Sequence, residues 1–246
     1  MIQEKVMKKI IFFIFYFFVT IFFTYKPTLA SQLEELYFTS LNINSNYDEI
    51  YKNPNDLVLG NPNGDVTLVE FFDYNCGYCK IALTDMIRLM DYDPNLRIIL
   101  KEYPILNQSS DDLARLSLAS AKQGYYLNYH RELLNIKGAA TYNTALNIAD
   151  KLGMEINKLK LDSNDQVIRD IINSTKLLGF TLGINGTPAY IIGDVSVSGA
   201  IGFDGLLEII GYIRENGMHS MEKYIMLLAS EGDIEAQKMI SKYNIQ

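Results

Sequence analysis

An α/β fold whose two halves are separated by a helical insertion is predicted from three observations. Breaker-free runs rich in β-branched and aromatic residues, Val66–Phe72 and 96–103, flank a helical stretch from Cys76 to about Met90. A block of helical periodicity fills the middle of the chain. The sequence then returns to β character in "AYIIGDVSVSG", where Gly193-Asp194 makes a two-residue hairpin turn, and a helical stretch carrying Leu206, Ile209, Ile210 and Ile213 follows.

The elements are read in order. Lys5, Lys8 and Lys9 precede a fourteen-residue apolar run, Ile10–Phe23, and Thr28 and Ala30 occupy the −3 and −1 positions before Ser31. A basic head, a short apolar core and a small-residue exit describe a secretory signal peptide over residues 1–30. The run falls short of the ~20 residues that span a bilayer; an uncleaved N-terminal anchor is the alternative, and on either reading the remainder is exported. Residues 31–58 read as an N-terminal arm with a short helix. Gly60, Pro62 and Gly64 then punctuate the chain, and residues 59–108 form the first half of the α/β domain, with Pro104 ending its second strand.

The helical insertion covers residues 109–182. Ser109 and Asp112 have capping-box spacing ahead of Ala114, Leu118 and Ala121, and Gly124 stops that helix. Ala145, Ile148, Ala149 and Leu152 form a second stripe ended by Gly153, and Ile168, Ile171, Ile172 and Thr175 form a third. Residues 183–216 complete the domain, and residues 217–246 are an amphipathic tail.

With 48% hydrophobic residues in 246, the chain can bury a sizeable core. The formal charge is −7; setting aside residues 1–30, which hold four lysines and one glutamate, leaves 18 basic and 28 acidic residues, a net −10. An acidic chain without clustered Lys and Arg argues against a nucleic-acid partner.

"NCGYC" holds the only two cysteines, Cys76 and Cys79. Such a pair can be a redox couple, half a zinc site or an inert disulfide. Cys76 follows a strand and turn and opens a helix, where unpaired backbone N–H groups and the helix dipole favour a thiolate, the species that attacks in disulfide exchange. Cys79, one turn further on the same face, is placed to resolve a mixed disulfide. Zinc needs four Cys or His ligands, and His130 and His219 lie far apart with no zinc spacing. A cysteine hydrolase would need one of those histidines as base; His130, in "NYHRELL", reads as a helix-surface or packing residue. A loop this short gains little from a purely structural disulfide. Glu70 interrupts the apolar strand six residues before Cys76. A buried acid needs a partner or a task, and this one could take the proton of Cys79; the alternative is a strand edge facing water. Pro188 in "GTPAY" starts a strand, and the residues alone leave its peptide bond open to either isomer.

"LGNPNGDVTLVEFFDYNCGYCK", "LKEYPIL" and "GINGTPAYIIGD" resemble the DsbA-like thiol–disulfide oxidoreductases of the thioredoxin superfamily, in their Com1/ScsC-type branch, from about Leu59 to Asn216. The resemblance implies a thioredoxin fold with an inserted helical subdomain, and a Cys76–Cys79 disulfide with Cys76 as nucleophile and Cys79 as resolving thiol. It also implies a cis Thr187–Pro188 pair that helps hold substrate, and Glu70 as the family's buried acid. No metal or organic cofactor is needed. The implied setting is a bacterial periplasm or envelope, the substrates are unfolded or newly exported cysteine-containing polypeptides, and a DsbB-like membrane partner would restore the disulfide. Gly77-Tyr78 replaces the Pro-His pair of the strongest oxidants, which implies a milder oxidant. Thr187 is commoner in isomerase-type relatives, so a disulfide isomerase or reductase is the alternative, with an envelope binding or chaperone module behind it.

Overall fold

The computed structural model describes residues 28–245; the predicted signal peptide lies almost wholly outside them. Among the described residues are five strands and eleven helices. Helices α1 (Leu29–Ser45) and α2 (Tyr47–Tyr51) lead into β1 (Leu57–Gly60), β2 (Val66–Phe72), α3 (Gly77–Tyr92) and β3 (Leu96–Glu102). Five helices follow: α4 (Gln108–Ala121), α5 (Tyr126–Leu134), α6 (Tyr142–Lys151), α7 (Ile156–Asp162) and α8 (Gln166–Thr181). The chain closes with β4 (Ala189–Ile192), β5 (Val195–Ser198), α9 (Gly202–Asn216), α10 (Ser220–Ser230) and α11 (Ile234–Tyr243).

The sheet order is β1-β3-β2-β4-β5. Only β2 and β3 are parallel; the other three pairings are antiparallel. Because α3 crosses between β2 and β3, these strands can run in the same direction. Side chains alternate across β2: Leu68 and Phe72 join the core under α3 and α9, while Val69 and Phe71 join Ile43, Ile50 and Leu178 on the other face. Both faces are covered, so the strand shows no polar alternation. The fold is a mixed five-stranded sheet between helical layers, with a five-helix insertion between its halves.

Two sequence expectations are corrected. "LGNPNGD" signalled only a turn, yet Leu57–Gly60 is a strand paired with β3. Gly60 has φ +67°, and a Cβ there would stand 2.5 Å from the Leu96 carbonyl oxygen; that turn-like glycine hid an edge strand. In α4 the cap is Asn107, whose side chain accepts from Ser110 N–H, and Asp112 pairs with Arg115 instead of completing a box. Asn caps at least as well as Ser, so the cap lies two residues before Ser109 and the helix begins at Gln108. Helices α5 and α7 are too short to have been separated by periodicity.

The tail packs back on the body: α10 and α11 both lie against α1. Asp194, in the hairpin turn, is buried and takes Ser220 N–H (3.1 Å), Ser220 Oγ (2.7 Å) and Met221 N–H (3.0 Å) at the start of α10. Tyr51 Oη donates to the neighbouring Gly193 carbonyl at 2.6 Å. Asp194→Ala strands two buried N–H groups and a hydroxyl, so it is expected to cost about 2–4 kcal/mol, read as a lower urea midpoint at unchanged m-value.

Candidate active site

Strand β2 delivers the site. After Phe72 the chain turns through Asp73-Tyr74-Asn75. The Asp73 carboxylate holds the turn: Oδ1 accepts Asn75 N–H at 2.8 Å, and Oδ2 accepts Ile105 and Leu106 N–H at 3.0 Å each. Cys76 then stands at the N-cap of α3 in extended backbone (φ −79°, ψ 119°). Gly77 and Tyr78 are exposed. A Cβ on Gly77 would meet nothing within 4 Å, so the backbone does not demand glycine there.

The two thiols are driven apart electrostatically. Cys76 is 7% exposed and Cys79 wholly buried. Cys76 is pulled down to about 5: the Cys79 thiol donates to its sulfur, partial burial opposes this, and Thr187 and the backbone N–H groups of Cys79 and Tyr78 add to the lowering. Burial pushes the Cys79 thiol far up, and its hydrogen bond to Cys76 and the nearby Glu70 charge push the same way. As a neutral thiol, Cys76 Sγ donates to the Thr187 carbonyl at 3.0 Å. The thiolate loses that bond, whereas the Thr187 hydroxyl, buried without a partner, is available as a donor. The Thr187–Pro188 peptide bond is cis, and Pro188 O accepts Gly199 N–H at 2.8 Å beyond β5.

Glu70 is 4% exposed on β2, a strand paired on both sides, so it does not face water at an edge. Burial first, and then the negative charge at Cys76, lift its carboxyl to about 8. It shares its face of the sheet with the α3 side where Cys79 lies.

The structure adds residues that spacing did not point to. Asn75 bridges two segments: its Oδ1 accepts Ala140 N–H at 2.7 Å, and its Nδ2 donates to Ala140 O at 3.2 Å and Ser109 Oγ at 2.9 Å. Lys80 donates from Nζ to the carbonyls of Ile136 (2.7 Å) and Gly138. The insertion is thereby fastened on both sides of the sulfur. Beneath lies a buried cluster of Tyr74, Glu102, Ser117, Tyr126 and His130. His130 is a buried packing residue, edge-on to Phe72 and bonded to Tyr74, and His219 is bonded to Asn44. Among the described residues no group of three or more His, Cys, Asp or Glu could hold a metal ion.

Comparison with known proteins bears on this arrangement. Residues 67–211 match the family of the DSBA-like thioredoxin domain. A thioredoxin-like oxidoreductase from Silicibacter pomeroyi DSS-3 is 39% identical, with 68% of this chain and 97% of that one covered at a TM-score of 0.67. The thiol-disulfide exchange protein alpha-DsbA2 of Wolbachia pipientis is 29% identical (72% and 97% covered, TM-score 0.68). The catalytic domain of Proteus mirabilis ScsC is 25% identical (72% and 98% covered, TM-score 0.66). Of curated proteins, a Na(+)/H(+) antiporter NhaA 1 of Mycobacterium sp. (strain KMS) is 25% identical over 150 residues, 56% of this chain but 23% of the antiporter. The chain thus spans under a quarter of that relative, and the transport activity named for the whole antiporter is not carried over. With the family matched along 67–211 and this sheet, insertion and helix-capping cysteine in place, the chain belongs to the DsbA-like thioredoxin domain family and is a thiol–disulfide oxidoreductase.

Proposed function

We propose that the protein introduces disulfide bonds into exported, cysteine-containing polypeptides through a Cys76–Cys79 redox pair. The observation that carries this reading is the split between the thiols, with one sulfur ionised near pH 5 and its neighbour held protonated. A substrate thiolate attacks Cys76 Sγ, the Cys76–Cys79 bond breaks, and Cys79 leaves with the electron pair. Glu70 supplies the proton that Cys79 takes up. A second substrate thiolate attacks the substrate sulfur of the mixed disulfide, and Cys76 departs as a thiolate. The substrate has lost two electrons and the protein has gained them. A leaving thiol of low pKa departs faster, which favours this direction.

Exposed Tyr78, within the motif, and exposed Ile105 and Leu106, tied to Asp73 in the turn before it, offer apolar contacts, Gly77 leaves open space, and Thr187-Pro188 provides backbone for an extended chain. Export rests on the basic and apolar N-terminus. No helix of the described residues is long and apolar enough to cross a membrane, and a separate membrane oxidant would restore the disulfide.

The reading is tested by equilibrating the pair with glutathione and trapping its redox state in cells. A potential near or above about −180 mV with the pair oxidised in vivo supports an oxidase; a pair kept reduced, with a potential below about −250 mV, assigns an isomerase or reductase instead. Glu70→Gln is expected to slow the Cys79 step by about 10²-fold in rapid-quench measurements, within the range for general acid–base groups.

A further inference from the structure

Tyr74 Oη lies 3.0 Å from Glu102 Oε1, 2.6 Å from Ser117 Oγ and 2.9 Å from His130 Nδ1, and Tyr126 donates to the same Glu102 oxygen at 3.2 Å. A phenol has one hydrogen to give and lone pairs to accept. With Glu102 ionised, that hydrogen goes to its carboxylate, so the Ser117 hydroxyl and the Nδ1–H of His130 donate to Tyr74. These partners assign the tautomer, and His130 Nε2 is then a bare acceptor. The ring is fixed between the edge of Phe72, at 4.8 Å, and the stacked Tyr126, at 5.7 Å.

At the other end, Glu70 and His130 line one cavity of about 10 Å³, walled mainly by Leu83, Met86, Leu100 and Leu134, with Arg131 also on its lining. That volume holds roughly one water, and two polar groups make such a water reasonable. Glu70 therefore reaches, by this cavity and His130, a second buried carboxyl whose Oε2 has no partner.

We propose that His130 and Tyr74 form a proton relay joining Glu70 to Glu102, which can hold the Glu70 proton on Glu102 so that Glu70 is open to the proton of Cys79 when that thiol attacks a mixed disulfide. The inference rests on the reading of Glu70 as the group that exchanges a proton with Cys79, giving one when Cys79 leaves and taking one back when Cys79 attacks. Glu70 passes a proton through the cavity to His130 Nε2, Nδ1 gives its hydrogen to Tyr74 Oη, and Tyr74 gives its own to Glu102 Oε1. One O–H bond breaks at Glu70 and one forms at Glu102; His130 and Tyr74 stay neutral, and the reverse passage restores the tautomer. Burial lifts both carboxyls to about 8, so one stands empty to take the other's proton as the pH approaches that value. The titratable and charged groups facing Glu70 are Cys76, Cys79, Tyr190, His130 and, on the cavity lining, Arg131, and those facing Glu102 are Asp73, Tyr74 and Tyr126.

The test measures the rate of Cys79 attack on a preformed Cys76–peptide mixed disulfide against pH, in the full chain and in Tyr74→Phe and Glu102→Gln. The wild type is expected to show two ionisations in this profile. Each variant is expected to show one and a slowing of roughly tenfold, with the Cys76 alkylation midpoint unmoved. Redox-difference infrared spectra should carry a carboxyl band that Glu102→Gln removes and that stops responding to the redox state in Tyr74→Phe. Wild-type profiles in both variants, or a Glu102 band indifferent to redox state, would overturn the relay while leaving exchange at Cys76 intact. If Tyr74→Phe does not fold, the wild-type infrared band, assigned by Glu102→Gln, decides alone. Absence of any mixed disulfide at Cys76 would instead sink the exchange reaction itself.

Discussion

Cys76→Ser is expected to lower disulfide transfer to a two-cysteine peptide by roughly 10³-fold or more, to the uncatalysed rate, because a hydroxyl can neither form the S–S bond nor leave as a stable anion. Cys79→Ser should behave differently. Its Cys76 can still enter a mixed disulfide, but no internal thiol is present to resolve it, so covalent adducts with substrate accumulate and are visible on non-reducing gels. The geometry sets this asymmetry, since Cys76 keeps a window to solvent while Cys79 has none. If Cys76→Ser retained turnover, the chemistry would lie elsewhere in the molecule.

The second large effect is a pH-dependent stability gap between the reduced and oxidised forms. Cys76 falls from 9.0 to about 5 on folding. A group depressed in this way adds stability to the reduced fold in full above its unfolded value near 9, and loses it as pH falls through about 5. Four units would correspond to ~5 kcal/mol at ~1.4 kcal/mol each; the sulfur sits at a solvent boundary, and screening brings the expectation to about 3 kcal/mol. Glu70 works in the opposite direction, because its raised carboxyl stabilises at low pH and loses that contribution between about 4.5 and 8. Its main cause is burial, which both redox forms share, so the difference between the forms isolates Cys76. Urea denaturation of both forms at pH 4, 6 and 8 checks this: the reduced form should gain on the oxidised one at each step. A gap independent of pH would mean that Cys76 ionises as an ordinary thiol.

Much of this architecture could be read from residues in line. Val66–Phe72 announced a strand because β-branched and aromatic residues fill it without a breaker, and Gly193-Asp194 announced a hairpin because two-residue turns need such residues. The cysteine at a helix start was legible for the same local reason. What stayed hidden depends on distant partners. Glu102 looks like the wet end of a strand until Tyr74 and Tyr126, 28 and 24 residues away, close over it. Asn75 and Lys80 read as ordinary polar neighbours of the motif, because nothing in their spacing says that 136–140 will come to meet them. The capping of α10 by Asp194 was equally invisible, since a turn aspartate is common for local reasons and the N–H groups it accepts from lie 26 and 27 residues on.

The grip of Asn75 on Ala140 has a mechanical corollary. The residue that grips the insertion is bonded covalently to Cys76, and Lys80 anchors the same stretch one turn beyond it. A tilt of the five-helix lobe therefore acts as a lever on the first turn of α3, and lengthening or stiffening the 136–140 segment should retune the acidity of the Cys76 thiol from outside the motif, without touching either cysteine.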